Sequence, residues 1–440
     1  MSPVLPLPAI PGDGPVRIGF SGGLDSTALL HALAHMPDAR ARGLGAIHVH
    51  HGLHLGADAW VLHCVAACEA LGLHCEVARV DVVPDGRGPE AAAREARHAA
   101  FAGHLPAGGV LVLAHHRDDQ AETVLLRALR ASGPDGLAAM RPVRAFADGW
   151  LWRPLLPFSR AQLHAYAQAH GLRWIEDPSN ADDDADRNFL RNRVLPLLRT
   201  RWPQADAALA GVAALQADTG DLLDTGDAEA LAQARTLDTA VLRIDTLRSL
   251  PAARRARVLR RWCAGLGLPP LPAQALAWCE HELARGLPDR QPCFDWAGHR
   301  LQRWRELLHA GPVRAPLELT YSDTWDGRAP LRLPDGSVLA FEGAIEDAAA
   351  WQVRARRGGE RIRLPGRAHT HALKHVLQSL AVPPWLRAHL PLLVDPGGQL
   401  AAAGDLVFGA DFDAWLRSGD RRLRWWPPGS AEPALHTRML

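Results

Sequence analysis

Ser21-Gly22-Gly23-Leu24-Asp25-Ser26-Thr27 stands directly after the apolar run Val16–Phe20 and runs into a helix-like stretch, Ser26–Met36. Small residues at a strand-to-helix junction let main-chain amides converge on an anion, and the helix N-terminus adds its partial positive charge. The spacing is neither GxxxxGK[ST] nor GxGxxG, and no lysine follows to grip a terminal phosphate. A plain turn capped by Ser26 or Asp25 is the alternative reading of the same residues.

Outward from this loop, the chain from Met1 to Met140 alternates strand-like and helix-like runs, the sequence form of a parallel sheet wrapped by helices. Val16–Phe20, Gly45–His50, Cys75–Asp81 and Val110–Ala114 read as buried strands; Ser26–Met36, Asp58–Leu71, Glu90–Leu105 and Ala121–Ala131 read as helices. The fourth strand leads into His115-His116-Arg117-Asp118-Asp119-Gln120-Ala121-Glu122-Thr123, which places a second polar loop at the carboxyl edge, where open α/β sheets bind ligands. A histidine and carboxylates there can hold a metal or move a proton. Alternatively Asp118 and Asp119 cap a helix and Glu122 sits in its first turn. Ser159 with Gln162 forms a capping-box pattern and Gly171 a stop, carrying the first domain to about residue 204. Residues 205–312 read as a helical domain, 313–350 as a connector with short strands such as Leu331–Leu333, and 351–428 as a small α+β domain. The last dozen residues are expected to be disordered. The fold class is thus α/β: a parallel-sheet domain, a helical domain and a small α+β domain.

A chain of 440 residues exceeds one core's usual reach, consistent with several domains. It begins without a basic segment followed by an apolar one and has no run of about 18 apolar residues, so a cytoplasmic protein without a membrane span is expected. Six cysteines, at 64, 68, 75, 263, 279 and 293, include no CxxC pair, which argues against zinc, iron–sulfur or dithiol chemistry. The net charge of +1 conceals two basic clusters. One holds Arg254, Arg255, Arg257, Arg260 and Arg261, of which Arg254, Arg257 and Arg261 share a helix face; the other holds Arg354, Arg356, Arg357, Arg361, Arg363 and Arg367. Lys374 is the only lysine, among 49 basic Lys and Arg residues.

The stretch SGGLDS resembles the SGGxDS signature of the PP-loop ATP pyrophosphatases, which have the adenine nucleotide alpha hydrolase-like fold and cleave ATP between its α- and β-phosphates. Further runs make the chain similar to the tRNA(Ile)-lysidine synthase family, in its longer proteobacterial form with a C-terminal domain. They are His48-Val49-His50-His51-Gly52-Leu53, Arg94-x-x-Arg97, HHRDDQAET, Ser132-Gly133-Pro134, Arg153-Pro154-Leu155-Leu156, Trp174 to Asn180, Arg187-Asn188-Phe189-Leu190-Arg191 and Pro383-Pro384-Trp385-Leu386-Arg387. His98, His50 and Ala131 depart from the family's usual Tyr, Asp or Asn, and Gly.

The resemblance implies ATP and Mg²⁺ as cofactors, with Ser21, Gly22, Gly23, Leu24, Asp25 and Ser26 around pyrophosphate and Asp25 on the metal. It implies tRNA(Ile) with a CAU anticodon and free L-lysine as partners, and leaves a homodimer open. His115 and Asp119 are the candidates for orienting the reacting groups, although His116 competes with His115, and Arg94 or Arg97 would offset phosphate charge. Their alternative is a helix face paired to Glu90 or Glu95. Arg254, Arg257, Arg261, Arg367, Lys374 and Arg387 are the candidates for tRNA contacts. The lysine pocket stays unassigned, since the acidic run Asp182 to Asp186 reads better as a solvated loop. The rivals are a tRNA thiolase of the same superfamily and a nucleotide-dependent RNA-binding protein without catalysis.

Overall fold

The computed structural model describes residues 4–52, 56–82, 89–178, 183–285, 291–343, 345 and 350–429. Leu53, Ser179, Asn180, Asp182, the side chain of Glu90 and residues 430–440, on which expectations above fell, lie outside them. The chain divides into two compact units, Met1–Asp224 and Thr225–Leu440.

In the first unit β1 (Val16–Gly19) leads through α1 (Leu24–Ala34) and α2 (Pro37–Ala41) to β2 (Gly45–His50). Then come α3 (Ala57–Ala70), β3 (Cys75–Arg79), α4 (Pro89–His104), β4 (Val110–Val112) and α5 (Arg117–Leu129). The sheet order is β3-β2-β1-β4, all parallel, extended past β4 by a hairpin after α6 (Pro134–Leu137): β5 (Val143–Phe146) and β6 (Gly149–Trp152). Val16, Ile18, Ile47, Leu111 and Val112 are fully buried, as strands covered on both faces must be. Because the chain passes from β1 to β2 on one side and returns to β4 on the other, β1 and β4 flank the switch point where a crevice opens at the strands' carboxyl ends.

The β5–β6 hairpin turns through Ala147-Asp148, with Ala147 in the left-handed conformation at φ +47, so the Asp148-Gly149 pair falls one position later than the two-residue turn signature would place it, and no strand is expected there from the sequence. Next come α7 (Arg160–Ala169), with the expected Ser159–Gln162 capping box, α8 (Asp186–Phe189), a π-helical turn at Leu190–Val194 and α9 (Leu195–Arg201). α10 (Ala205–Ala234) crosses from one unit to the other.

The second unit begins with β7 (Val241–Arg243), α11 (Ile244–Ser249), α12 (Ala252–Gly265) and α13 (Ala273–Ala284). The helices are accompanied by a sheet, which corrects the expectation of a purely helical segment: β8 (Cys293–Trp296), β9 (His299–Trp304) and β10 (Leu307–Pro312) join β7 in the order β7-β10-β9-β8. The β8–β9 turn uses positive φ at Ala297 and Gly298, again without the usual signature.

The stretch 313–350 is likewise more than a connector. β11 (Ser322–Trp325) pairs with β14 (Trp351–Arg354), while β12 (Leu331–Arg332) and β13 (Val338–Glu342) form a sheet with the strand at Arg422–Trp426. Trp325, Leu333 and Leu339 from this stretch are buried in the same core as Trp351, Val353 and Trp425, so apolar burial fixes these short strands where sequence spacing could not. The remaining elements are β15 (Arg361–Arg363), β16 (Thr370–Ala372), α14 (Leu373–Ser379), α15 (Pro384–Arg387), β17 (Leu392–Val394), β18 (Leu400–Ala403), β19 (Val407–Phe408), α16 (Ala410–Ser418) and β20 (Arg422–Trp426).

Candidate active site

The loop between β1 and α1 is shaped by two glycines. Gly22 sits at φ +81, and a Cβ there would come within 2.7 Å of Ile175 Cδ1 and 2.9 Å of Cys64 Sγ, so both conformation and space exclude a side chain. Its carbonyl accepts the Ile175 amide at 2.8 Å and the Thr27 hydroxyl at 3.2 Å, which ties the loop to the Trp174–Asp177 segment. Gly23 is the N-cap of α1, and no side chain caps it; Ser26 Oγ turns back to the Gly23 carbonyl at 3.0 Å and meets Ser21 Oγ at 3.0 Å. The helix therefore starts with neither Ser26 nor Asp25 as its cap, and its first amides are left for an anion.

Asp25, in the first turn of α1, places Oδ2 3.5 Å from His116 Nε2, while its Oδ1 is buried without a hydrogen-bond partner. His116 is the N-cap of α5, and its amide donates to Asp119 Oδ2 at 3.0 Å. Burial alone would lower the His116 pKa, but the Asp25, Asp119 and Asp118 carboxylates outweigh it and hold the imidazole above its ordinary value.

Asp119 and Glu122 face two arginines that arrive from far along the chain. Arg187 and Arg191, one helical turn apart, reach Asp119 Oδ1 at 2.9 and 3.1 Å and each donates through Nε to Glu122 at 2.6 Å. Glu122 is wholly buried, and these contacts satisfy both of its oxygens; stripping a partner from such a group typically costs about 3–5 kcal/mol. Burial pushes the Asp119 pKa up, yet His116, Arg187 and His115 together bring it down to about 2. The π-helical turn that begins just before Arg191 is a distortion often found at functional sites. Asp118 pairs with Arg199 at 3.1 Å and accepts the Arg160 amide at 3.0 Å, so it ties α5 to its neighbours.

His115 lies apart from Asp25's partner. Its Nδ1 accepts from Arg153 Nε at 3.2 Å, and burial, with Arg153, Arg187 and Arg94 adding to it against Asp119, pushes its pKa down to about 3. Arg94 and Arg97 are carried by α4, and their charges act on different groups: Arg94 on His115 and Arg153, Arg97 on His51, with both acting on His98. The structure brings the expected Asp25 and Asp119 together around His116, which the sequence left competing with His115, and adds roles for Glu122, Arg153, Arg187 and Arg191 that the sequence showed only as motif residues. The i,i+4 arginines of RNFLR were the available signal.

The candidate tRNA-contact residues all lie in the second unit. Arg254 and Arg261 are carried by α12, but Arg257 is turned inward onto buried Asp227 at 2.5 Å, with Arg254 at 3.7 Å from the same carboxylate. Arg367 and Lys374 are exposed near β16 and on α14; Arg387 is half-buried, donating to the Val382 carbonyl at 2.6 Å and lying 5.7 Å from the Trp304 ring centre. The face that these arginines share in sequence is therefore partly turned onto Asp227.

A family model described as a PP-loop domain matches residues 9–198, one described as the TilS substrate binding domain matches 242–309, and one described as the TilS substrate C-terminal domain matches 351–425. The tRNA(Ile)-lysidine synthase of Xanthomonas campestris pv. campestris is 53% identical, covering 97% of this chain and 98% of its own length. The chain belongs to the tRNA(Ile)-lysidine synthase family. The synthase of Xylella fastidiosa is 52% identical over 97% of this chain and 98% of its own, and that of Escherichia coli O157:H7 is 42% identical over 89% and 92%.

Each of the three departures from the family pattern has a local physical account. His98 packs edge-on to Phe146 with ring centres 5.9 Å apart, and burial with surrounding arginines lowers its pKa to about 4, so it serves as a neutral aromatic in place of Tyr. His50 Nε2 lies 3.3 Å from Asp58, which brings a carboxylate beside it. Ala131 occupies φ +51 just beyond α5, a conformation that favours glycine.

Proposed function

We propose that the protein joins free L-lysine to C2 of the wobble cytidine in the CAU anticodon of tRNA(Ile), forming lysidine with release of AMP and pyrophosphate. Reading then shifts from AUG to AUA and identity from Met to Ile. In the first half the cytosine O2 attacks the α-phosphorus of ATP and pyrophosphate leaves; in the second the lysine ε-amine attacks C2, and AMP departs with the former carbonyl oxygen. The observation that carries this reading is the uncapped start of α1 beside Asp25 and His116, an anion site with a carboxylate at its rim.

In this reading the Ser21–Ser26 loop receives the departing pyrophosphate. Asp25 holds Mg²⁺: an ion carried by a polyphosphate needs only one or two protein carboxylates, and Asp25 Oδ1, buried and unbonded, fits that need. When bound, the ion neutralises phosphate charge. Arg94, whose charge reaches His115 and Arg153, is better placed than Arg97 to offset charge at the reacting phosphate. His116 acts on Asp25 and the leaving group, while His115 and Asp119 orient their neighbours. In the second unit Arg254, Arg261, Arg367, Lys374 and Arg387 contribute tRNA contacts, with Arg257 holding α12 to Asp227.

The test is incubation with ATP, Mg²⁺ and labelled lysine, using the CAU isoleucine tRNA beside initiator and elongator methionine tRNAs. Label is expected on the isoleucine tRNA alone, with Asp25→Asn lowering the rate by about 10²-fold or more. Pyrophosphate release without lysine incorporation would point to another nucleophile, and neither signal would leave a binding protein.

A further inference from the structure

Beside His115, two guanidinium groups stand, among the described residues, without a paired acid. Arg153, just past the end of β6, is 6% exposed; it donates through Nε to His115 Nδ1 at 3.2 Å and through Nη1 to the Arg141 carbonyl at 2.8 Å, both neutral acceptors. Arg144, exposed on β5, donates to the Ala145 carbonyl at 3.1 Å and lies 5.5 Å from the centre of the Phe146 ring, against whose edge His98 packs. Among the described residues neither Arg144 nor Arg153 is paired with a carboxylate, whereas Arg187, Arg191 and Arg199 each are. Burial, with Arg144 and Arg94 nearby, pushes the Arg153 pKa down to about 10, and the charges bearing on His98 are those of Arg94, Arg144, Arg97 and Arg153.

A guanidinium taken out of water beside another, with no counter-ion, is unfavourable in the free protein. Such an arrangement is explained if an anion completes it. The anion at the β1–α1 loop is not a candidate, because β4 stands between β1 and β6 and two strand spacings amount to roughly 10 Å. A neutral His98 and Phe146 beside the cations supply the aromatic surface that nucleotides favour. We propose that Arg144 and Arg153, with Arg94, receive a backbone phosphodiester of the substrate RNA next to the nucleotide being modified. This rests on the reading of the protein as an RNA-modifying ligase. A planar fork held by His115 and the Arg141 carbonyl is pre-oriented for two phosphate oxygens, which couples RNA docking to the position of His115.

The test measures binding of the CAU tRNA to the full chain by fluorescence anisotropy over a KCl series, with ATP affinity measured separately. Arg144→Gln, an exposed change that leaves the core intact, is expected to weaken tRNA binding about tenfold and to reduce the slope of log K against log salt by about 0.7, the contribution of one single-stranded phosphate contact, with ATP affinity unchanged. Arg153→Lys keeps the charge and is expected to keep the slope while losing affinity. An unchanged slope and affinity in Arg144→Gln would overturn the proposal, as would weakened ATP binding with tRNA binding intact, which would assign the cations to the nucleotide's own phosphate. Because binding is read without turnover, a wild-type protein that shows the salt effect but makes no lysidine would sink the activity and leave this site standing.

Discussion

His115, buried against the Arg153 guanidinium, stays neutral down to about pH 3, whereas His116, ringed by Asp25, Asp118 and Asp119, is held in its charged form above the ordinary histidine pKa. A step that needs charged His116 is therefore fully supported below about pH 6.5 and is lost as pH rises through the raised value. Pyrophosphate release in a single turnover should fall on that alkaline limb in the wild type, and His116→Gln should lower the rate by about 10²-fold and abolish the limb, while His115→Gln keeps it. A limb that survives in His116→Gln would remove His116 from the reaction. The sequence made the histidine pair legible as a motif, but two adjacent residues at a strand end point to opposite sides, and which one meets Asp25 depends on where β1 lies. Asp25 itself was readable, because a phosphate loop is local in sequence.

At the scale of elements, α5 shows both what local pattern captures and what it misses. Its apolar spacing announces a helix, yet its start is set by His116, a full turn earlier than the apolar run implies, and its end by Ala131 at φ +51. Replacing Ala131 with glycine relieves that conformation and is expected to stabilise the protein by about 0.5–1 kcal/mol in urea unfolding, whereas an unchanged or lowered midpoint would show that Ala131 is unstrained. The Arg187-Arg191 pair was visible as a motif and silent as to role, since its carboxylate partners lie on α5, outside any local window. The β5–β6 and β8–β9 hairpins escaped for a different reason: alanine at positive φ, Ala147 and Ala297, opens each turn where Asn or Asp would announce it.

Across the whole molecule, burial lowers the pKa of His31, His51, His98 and His309 to about 4 and of His115 to about 3. A histidine that resists protonation when folded binds fewer protons than the unfolded chain below pH 6.5, so stability rises with pH across the window from about 4 to 6.5. His116 acts in the opposite sense, contributing most below 6.5, but it is one against these five and His48, whose pKa burial also lowers. The melting temperature is expected to fall steadily as pH drops from 7 to 4.5, and a flat profile would contradict the burial of these side chains. The alternation of strands and helices in the first unit was readable at this scale, because parallel strands are apolar on both faces. In 313–350 the short strand at Leu331 was readable but β11 and β13 were not, since they are fixed by β14 and β20, the latter near the far end of the chain. The same long reach bears on how the chain is made. Glu122 is synthesised well before Arg187, and at ordinary rates of synthesis the interval is roughly 3–13 s. Until the arginine leaves the ribosome, the buried carboxylate of α5 lacks the partner that satisfies it, so α5 stays undocked in the meantime. The active centre is then among the last parts of the first unit to close, and a ribosome stalled in that interval would present a form that chaperones and proteases can tell from the finished protein.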